Sequence, residues 1–185
     1  PNGTYTELAR FHSGKALFLD TPEPRLDQSS TFSAISELQM FMEYFPASKR
    51  KTEAQQMIFE LQDKLVMKDY LSAKLYYDLG TYVGNSSQTA DGRINGNNFL
   101  ACITTAQNAL KDYPYTSMRE EISILLLRAK HKLGSESVLE KKEERMRETI
   151  DEYYAFKNEF PESKYMKEVE AIYKDASKYV KELNE

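Results

Sequence analysis

Residues 159–173 read EFPESKYMKEVEAIY, and the same punctuation occurs twice earlier, as YFPASKRKTEAQQMI at 44–58 and DYPYTSMREEISILL at 112–126. Each stretch has an aromatic residue, a proline, and Ser or Thr two places on, then a helical pattern with Glu seven after the proline: Glu53, Glu121 and Glu168. Proline lacks the N–H that a helix interior needs, and its ring clashes with the preceding turn. It also drives the residue before it out of the α region. Phe45, Tyr113 and Phe160 are therefore expected to end helices. Ser48, Thr116 and Ser163 are placed to cap the next ones by accepting orphan N–H groups. Ser117 with Glu120 offers an alternative capping box. Aromatic–Pro–x–Ser/Thr is thus read as a tight turn between two helices.

Pro1 belongs to the same series, with Tyr5, Glu7 and Leu8 after it. The prolines at 1, 46, 114 and 161 are 45, 68 and 47 residues apart. A period near 45 holds for two intervals, and the middle one is longer by about half a repeat. The helix before each proline repeats as well. Eleven residues back stand Ile35, Ile103 and Ile150; eight back, Leu38, Ala106 and Tyr153; five back, Phe41, Ala109 and Phe156. Offsets three apart share one helical face. Twelve back are Ala34, Cys102 and Thr149, small residues that let a neighbouring helix approach closely.

After the prolines the stripes are Ala54, Met57, Ile58, Leu61, then Ile122, Leu125, Leu126, Ala129, then Val169, Ile172, Tyr173, Ala176. The pattern predicts eight helices, at about 4–20, 31–45, 49–66, 68–83, 97–113, 117–133, 138–160 and 163–182. Paired helices at this period mean an all-α, tetratricopeptide-like α-solenoid of stacked antiparallel helix pairs. The whole of 1–185 reads as a single repeat domain of about three to four pairs. The repeat spacing is clearest in YYDLGTYV, where Tyr76, Leu79, Gly80 and Val83 occupy the first helix, with Cys102, Ala106, Ala109 and Pro114 after it. Between them, GNSSQTADGRINGNN at 84–98 is nearly free of apolar residues and reads as a loop insertion.

The 185 residues are 41% hydrophobic and 29% charged, with a net charge of −4 and acids and bases interspersed. A nucleic-acid binder would carry a basic stripe, so that partner class is not expected. No apolar run approaches the length of a membrane span. The chain opens at Pro1 in mid-pattern, as expected of a fragment whose N-terminal part is missing. The single Cys102 excludes an internal disulfide and a cysteine zinc site, and reads as a small hydrophobe in the packing seam. His12 reads as a packing or surface residue, and His131 as a helix-end residue favoured by the macrodipole. DGRINGNN has some look of a calcium loop but lacks its acidic ligand at position 12. Neither a metal nor a cofactor is expected, and no catalytic constellation has usable spacing, so the chain reads as non-enzymatic with no site residues to name. EKKEERMRE at 140–148 reads as a solvated face, with Glu143–Arg147, and farther on Glu170–Lys174, as i,i+4 pairs. Aromatics at repeat positions, among them Tyr76, Phe41, Phe156 and Tyr153, read as core.

TPEPRLDQSSTFSAISELQMFMEYFPAS at 21–48 resembles the BamD (YfiO-like) family of outer-membrane assembly lipoproteins, through Pro24, Leu26, Asp27, Gln28, Thr31, Ala34, Ile35 and the FPxS turn. DKLVMKDYLSAKLYYDLGTY, with Ala73, Lys74, Tyr76, Tyr77 and Gly80, and QNALKDYPYTSMREE extend the resemblance over most of the chain. The resemblance implies about five tetratricopeptide-like repeats and a lipid on an N-terminal cysteine. It implies a place on the periplasmic face of the outer membrane. It implies partnership with BamA-like POTRA domains, other assembly lipoproteins and unfolded outer-membrane proteins, in the insertion of β-barrels. It would make this the C-terminal part, and the 84–98 insertion a departure from relatives that have a short turn there. Alternatives are another periplasmic repeat lipoprotein, of the Tol–Pal type, and a SusD-like glycan-binding lipoprotein, which the absence of Trp disfavours.

Overall fold

A computed structural model describes residues 5–81 and 97–180. Among them all regular structure is α-helical: α1 (Thr6–Leu19), α2 (Ser29–Tyr44), α3 (Lys51–Leu79), α4 (Asn98–Asp112), α5 (Arg119–Ser135), α6 (Leu139–Glu159) and α7 (Met166–Ala176). The class is all-α, and the packing of successive helices is consistent with a tetratricopeptide-like α-solenoid. The chain forms two compact units, one of residues 1–68 with 115–118, the other of 69–114 with 119–185.

In the first unit, α1 and α2 pack together and α3 lies against both. Their shared core is Phe11, Ala34, Leu38, Phe41, Ala54, Met57, Ile58 and Leu61. Apart from Phe11, these are residues of the stripes expected before and after Pro46, with Ile35 partly buried against them. Each large apolar side chain buried there contributes about 1.5–3 kcal/mol. Gly14 sets the α1–α2 approach, since a Cβ there would lie 2.7 Å from Leu38 Cδ2.

In the second unit, α5 is the central helix, packed by α4, α6 and α7. Ile122 to Leu127 are buried without a break, so the helix is enclosed on nearly every side, as an all-round apolar segment requires. Ile124, Leu127, Tyr153, Phe156, Val169 and Ile172 form one core cluster. The small residues twelve before each proline, Ala34, Cys102 and Thr149, are fully buried.

Two expected helices, 49–66 and 68–83, are one continuous helix, α3. No Pro or Gly stands between Pro46 and Gly80, and Val66-Met67-Lys68-Asp69 offers no breaker, so nothing interrupts the hydrogen-bond ladder. The helix stops at Gly80, not at 83. Gly80 has φ +54°, and its N–H donates to the carbonyls of Tyr76 and Tyr77. That is a left-handed C-cap, which glycine adopts without a Cβ penalty. Of the tetratricopeptide spacing in YYDLGTYV, Tyr76 and Leu79 lie in α3 and Gly80 caps it, while Val83 lies outside the described residues. α7 is likewise shorter than the expected 163–182. The insertion at 84–98 lies outside the described residues except for Asn97 and Asn98, where the Asn97 side chain accepts from Phe99 N–H and opens α4.

Candidate interaction surface

The proline turns are built identically. Helices end at 44, 112 and 159 and resume at 51, 119 and 166. The residue before each proline holds nearly one conformation: φ −128°, ψ 62° at Phe45, −128°, 68° at Tyr113, and −126°, 62° at Phe160. Two residues after the proline, the hydroxyl oxygen accepts a backbone N–H: Arg50 to Ser48 at 3.1 Å, Met118 to Thr116 at 3.2 Å, Tyr165 to Ser163 at 3.0 Å. The expected caps are these hydroxyls. Ser117 is not part of a capping box; it donates to Asp63 Oδ2 at 2.6 Å.

Carboxylates from other helices then clamp the turns. Ser48 Oγ donates to Glu7 Oε1 at 2.6 Å, and the Arg50 guanidinium lies 3.8 Å from the same oxygen. Thr116 Oγ1 donates to Asp63 Oδ1 at 2.7 Å. Glu121 receives Lys164 Nζ at 2.8 Å and the Tyr165 hydroxyl, and these two hydrogen bonds hold its pKa below the usual carboxylate value.

The glutamates seven after the proline have a recurring partner. Lys15 Nζ meets Glu53 at 2.7 Å, and Arg128 meets Glu168 with both of its bonds at 2.7 Å. Lys15 and Arg128 each stand fourteen residues after their own proline, so this is one contact repeated. The Arg128 hydrogen bonds lower the Glu168 pKa. Such partly exposed pairs contribute little, about 0–1 kcal/mol each, but they fix register. Of the two i,i+4 pairs expected, Glu143–Arg147 forms at 2.9 Å. Glu170 instead pairs with Lys157 at 2.8 Å and accepts from Tyr153, because α6 brings those groups nearer than the next helical turn does.

The other singled-out residues sort by burial. Cys102 is fully buried, and desolvation, with a smaller effect from Asp78, pushes its thiol up to about 12. It is a packing residue. His12 is exposed beside Phe11. His131 does not serve a helix end, because α5 continues to Ser135; its Nε2 lies 2.9 Å from Asp175 Oδ2 of α7. Phe41, Phe156 and Tyr153 are core as expected, but Tyr76 is 36% exposed. Its neighbour Tyr77 packs edge-on to Phe99, since the helix turns Tyr76 about 100° away from that face. Among the described residues no three His, Cys, Asp or Glu side chains group closely enough to hold a metal, and no helix is long and apolar enough to cross a membrane. DGRINGNN lies outside the described residues but for its last two.

The LDQ loop is knitted from within. Gln28 is buried; its amide donates to the carbonyls of Glu23 at 2.8 Å and Leu26 at 3.1 Å, and its oxygen accepts from Thr31 Oγ1 at 2.7 Å. Asp27 Oδ1 accepts from Ser29 N–H, which with the Ser29 hydroxyl lowers its pKa. Lys68 Nζ reaches the Leu26 carbonyl from α3.

The described residues include the linings of two surface cavities. One, of about 310 Å³, lies between α2 and α3, lined by Met42, Lys51, Thr52, Gln55, Gln56 and Phe59. The other, of about 500 Å³, lies at the third turn, lined by Glu120, Phe160, Pro161, Glu162, Ser163 and Lys164. Apolar floors with amide or charged rims suit polypeptide binding.

Residues 1–90 match the family model YfiO, outer membrane lipoprotein. That span includes the knitted LDQ loop, the first proline turn and the Ala73–Gly80 segment. QNALKDYPYTSMREE at 107–121, which carried part of the expected resemblance, lies beyond it. No curated protein matches the chain.

Proposed function

We propose that this chain is a non-enzymatic scaffold of the outer-membrane β-barrel assembly machinery, acting at the periplasmic face of the outer membrane. Its full-length form would be lipid-anchored there. The observation that carries the reading is the match of residues 1–90 to the YfiO outer-membrane lipoprotein family. The architecture supports it. Helix pairs locked by repeated turns present a preformed surface, so a partner binds without the cost of ordering it. The groove between α2 and α3, with Phe59 exposed, offers a place for a side-chain anchor. The partners in this reading are BamA-like POTRA domains, other assembly lipoproteins and unfolded outer-membrane proteins.

The test is titration calorimetry of the purified chain with the POTRA domains of the BamA-like protein of the same cell. Saturable binding is expected. No binding to POTRA domains, together with recovery of Tol components from envelope extracts, would overturn the reading in favour of a Tol–Pal-type coordinator.

A further inference from the structure

The first and third proline repeats carry the same acid and the same hydroxyl, but among the described residues one of the two acids has a base and the other has none. Glu7 stands six residues after Pro1, and Ser48 two after Pro46; Glu120 stands six after Pro114, and Ser163 two after Pro161. In the first unit Ser48 donates to Glu7, and Arg50, two residues farther on, brings its guanidinium to the same oxygen and over the Phe11 ring. That site is complete within the chain.

In the second unit the residue equivalent to Arg50 is Tyr165. Its hydroxyl is turned to Glu121, and so is the ammonium of Lys164. Glu120, Glu162 and Ser163 instead line the cavity of about 500 Å³ with Phe160, Pro161 and Lys164, whose ammonium is held by Glu121. Among the described residues neither Glu120 nor Glu162 has an ion-pair partner. Among the described residues the pocket thus keeps the acid, hydroxyl and aromatic surface of the first site, and its one lining cation, Lys164, is paired with Glu121 and not with Glu120.

We propose that this pocket receives an arginine side chain of a partner polypeptide, its guanidinium taking the place at Glu120 that the Arg50 guanidinium takes at Glu7. The planar fork of a guanidinium can meet two oxygens at once, and its weak hydration suits an apolar wall, which favours Arg over Lys. Glu162 adds a second negative group at the mouth. The inference concerns the chemistry of a partner side chain and does not depend on which partner the proposed function names.

The test is an amide-resolved NMR titration of the full chain with acetyl-Ala-Arg-Ala-amide, and with the citrulline peptide of the same shape but no charge. The arginine peptide should shift the amides of Glu120 and of residues 160–164 saturably, in the millimolar range expected of a single side chain. The citrulline peptide should not. Glu120→Gln should weaken binding about tenfold, Glu162→Gln by less, and Glu7→Gln not at all. Among the described residues neither pocket acid has an ion-pair partner, so Glu120→Gln and Glu162→Gln should leave the circular dichroism spectrum unchanged. Equal shifts from the two peptides, shifts spread over all exposed acids, or undiminished binding by Glu120→Gln would each overturn the proposal.

Discussion

Replacing Gly80 separates two reasons for a glycine at the end of α3. Its φ of +54° is a conformation that costs an L-residue about 1–2 kcal/mol. A Cβ there would also lie 3.2 Å from Phe99 Cζ, closer than ordinary contact, so the ring must yield. Gly80→Ala should therefore lose about 1–2 kcal/mol. Gly80→Val, with a branched Cβ pressed against the ring, should lose about 2–4 kcal/mol, adding overpacking to the backbone strain. For a chain of this size that lowers the melting temperature by roughly 5–15 °C. Gly80→Asn supplies the control, because asparagine tolerates the left-handed region while still carrying a Cβ. Urea unfolding followed by circular dichroism at 222 nm measures all three. The expected order of stability is Gly, then Asn, then Ala, then Val. A valine variant as stable as the parent would refute the C-cap outright. An asparagine variant as damaged as valine would show that crowding against Phe99, not φ, makes glycine necessary.

Gly14→Ala should cost about 1–3 kcal/mol in the same assay, because the new methyl collides with Leu38 where α1 meets α2. Gln28→Leu should cost about 1–3 kcal/mol, since the buried Gln28 side chain bonds the part-buried carbonyls of Glu23 and Leu26 and the buried Thr31 hydroxyl at once. Glu168 has a folded pKa held below its ordinary 4.5 by Arg128. Its stabilisation is therefore complete above pH 4.5 and is lost as the pH falls below that value toward the lowered one. Glu168→Gln should flatten stability against pH in that window and leave its slope near neutrality unchanged; a slope unchanged below pH 4.5 would count against the pair. Cys102 should resist a thiol-specific reagent at pH 8 until the protein unfolds. A thiol pushed up to about 12 has a roughly thousandfold smaller thiolate fraction than one at the ordinary 9.

The parts of the fold that could be read from the sequence are those governed by local chemistry. Pro46, Pro114 and Pro161 each forbid helix continuation wherever they stand, and a hydroxyl two residues on can cap whatever follows. Ala34, Leu38 and Phe41 declare their face by spacing alone, and all three are buried. The length of α3 was not readable, because a helix end needs a breaker or a change of partner, and 66–68 holds no breaker. Tyr76 and Tyr77 are adjacent, and only the position of Phe99 decides which one packs. Glu170 has one lysine a helical turn on and another across helices, and the α6–α7 packing selects Lys157. Site residues were the least legible. The equivalence of Glu7 and Glu120 carries no meaning until Ser48 and Arg50 are seen to close on one and Tyr165 to turn away from the other.

The repeat fold stands on one recurring joint, an aromatic–Pro–x–Ser/Thr turn of fixed geometry between helices. Backbone chemical shifts of the isotope-labelled chain measure it directly. The account predicts the same non-helical conformation, near φ −127° and ψ 65°, at Phe45, Tyr113 and Phe160, with uninterrupted helical shifts from Lys51 to Leu79. Three different conformations at those positions, or a break in the shifts at 66–68, would contradict it.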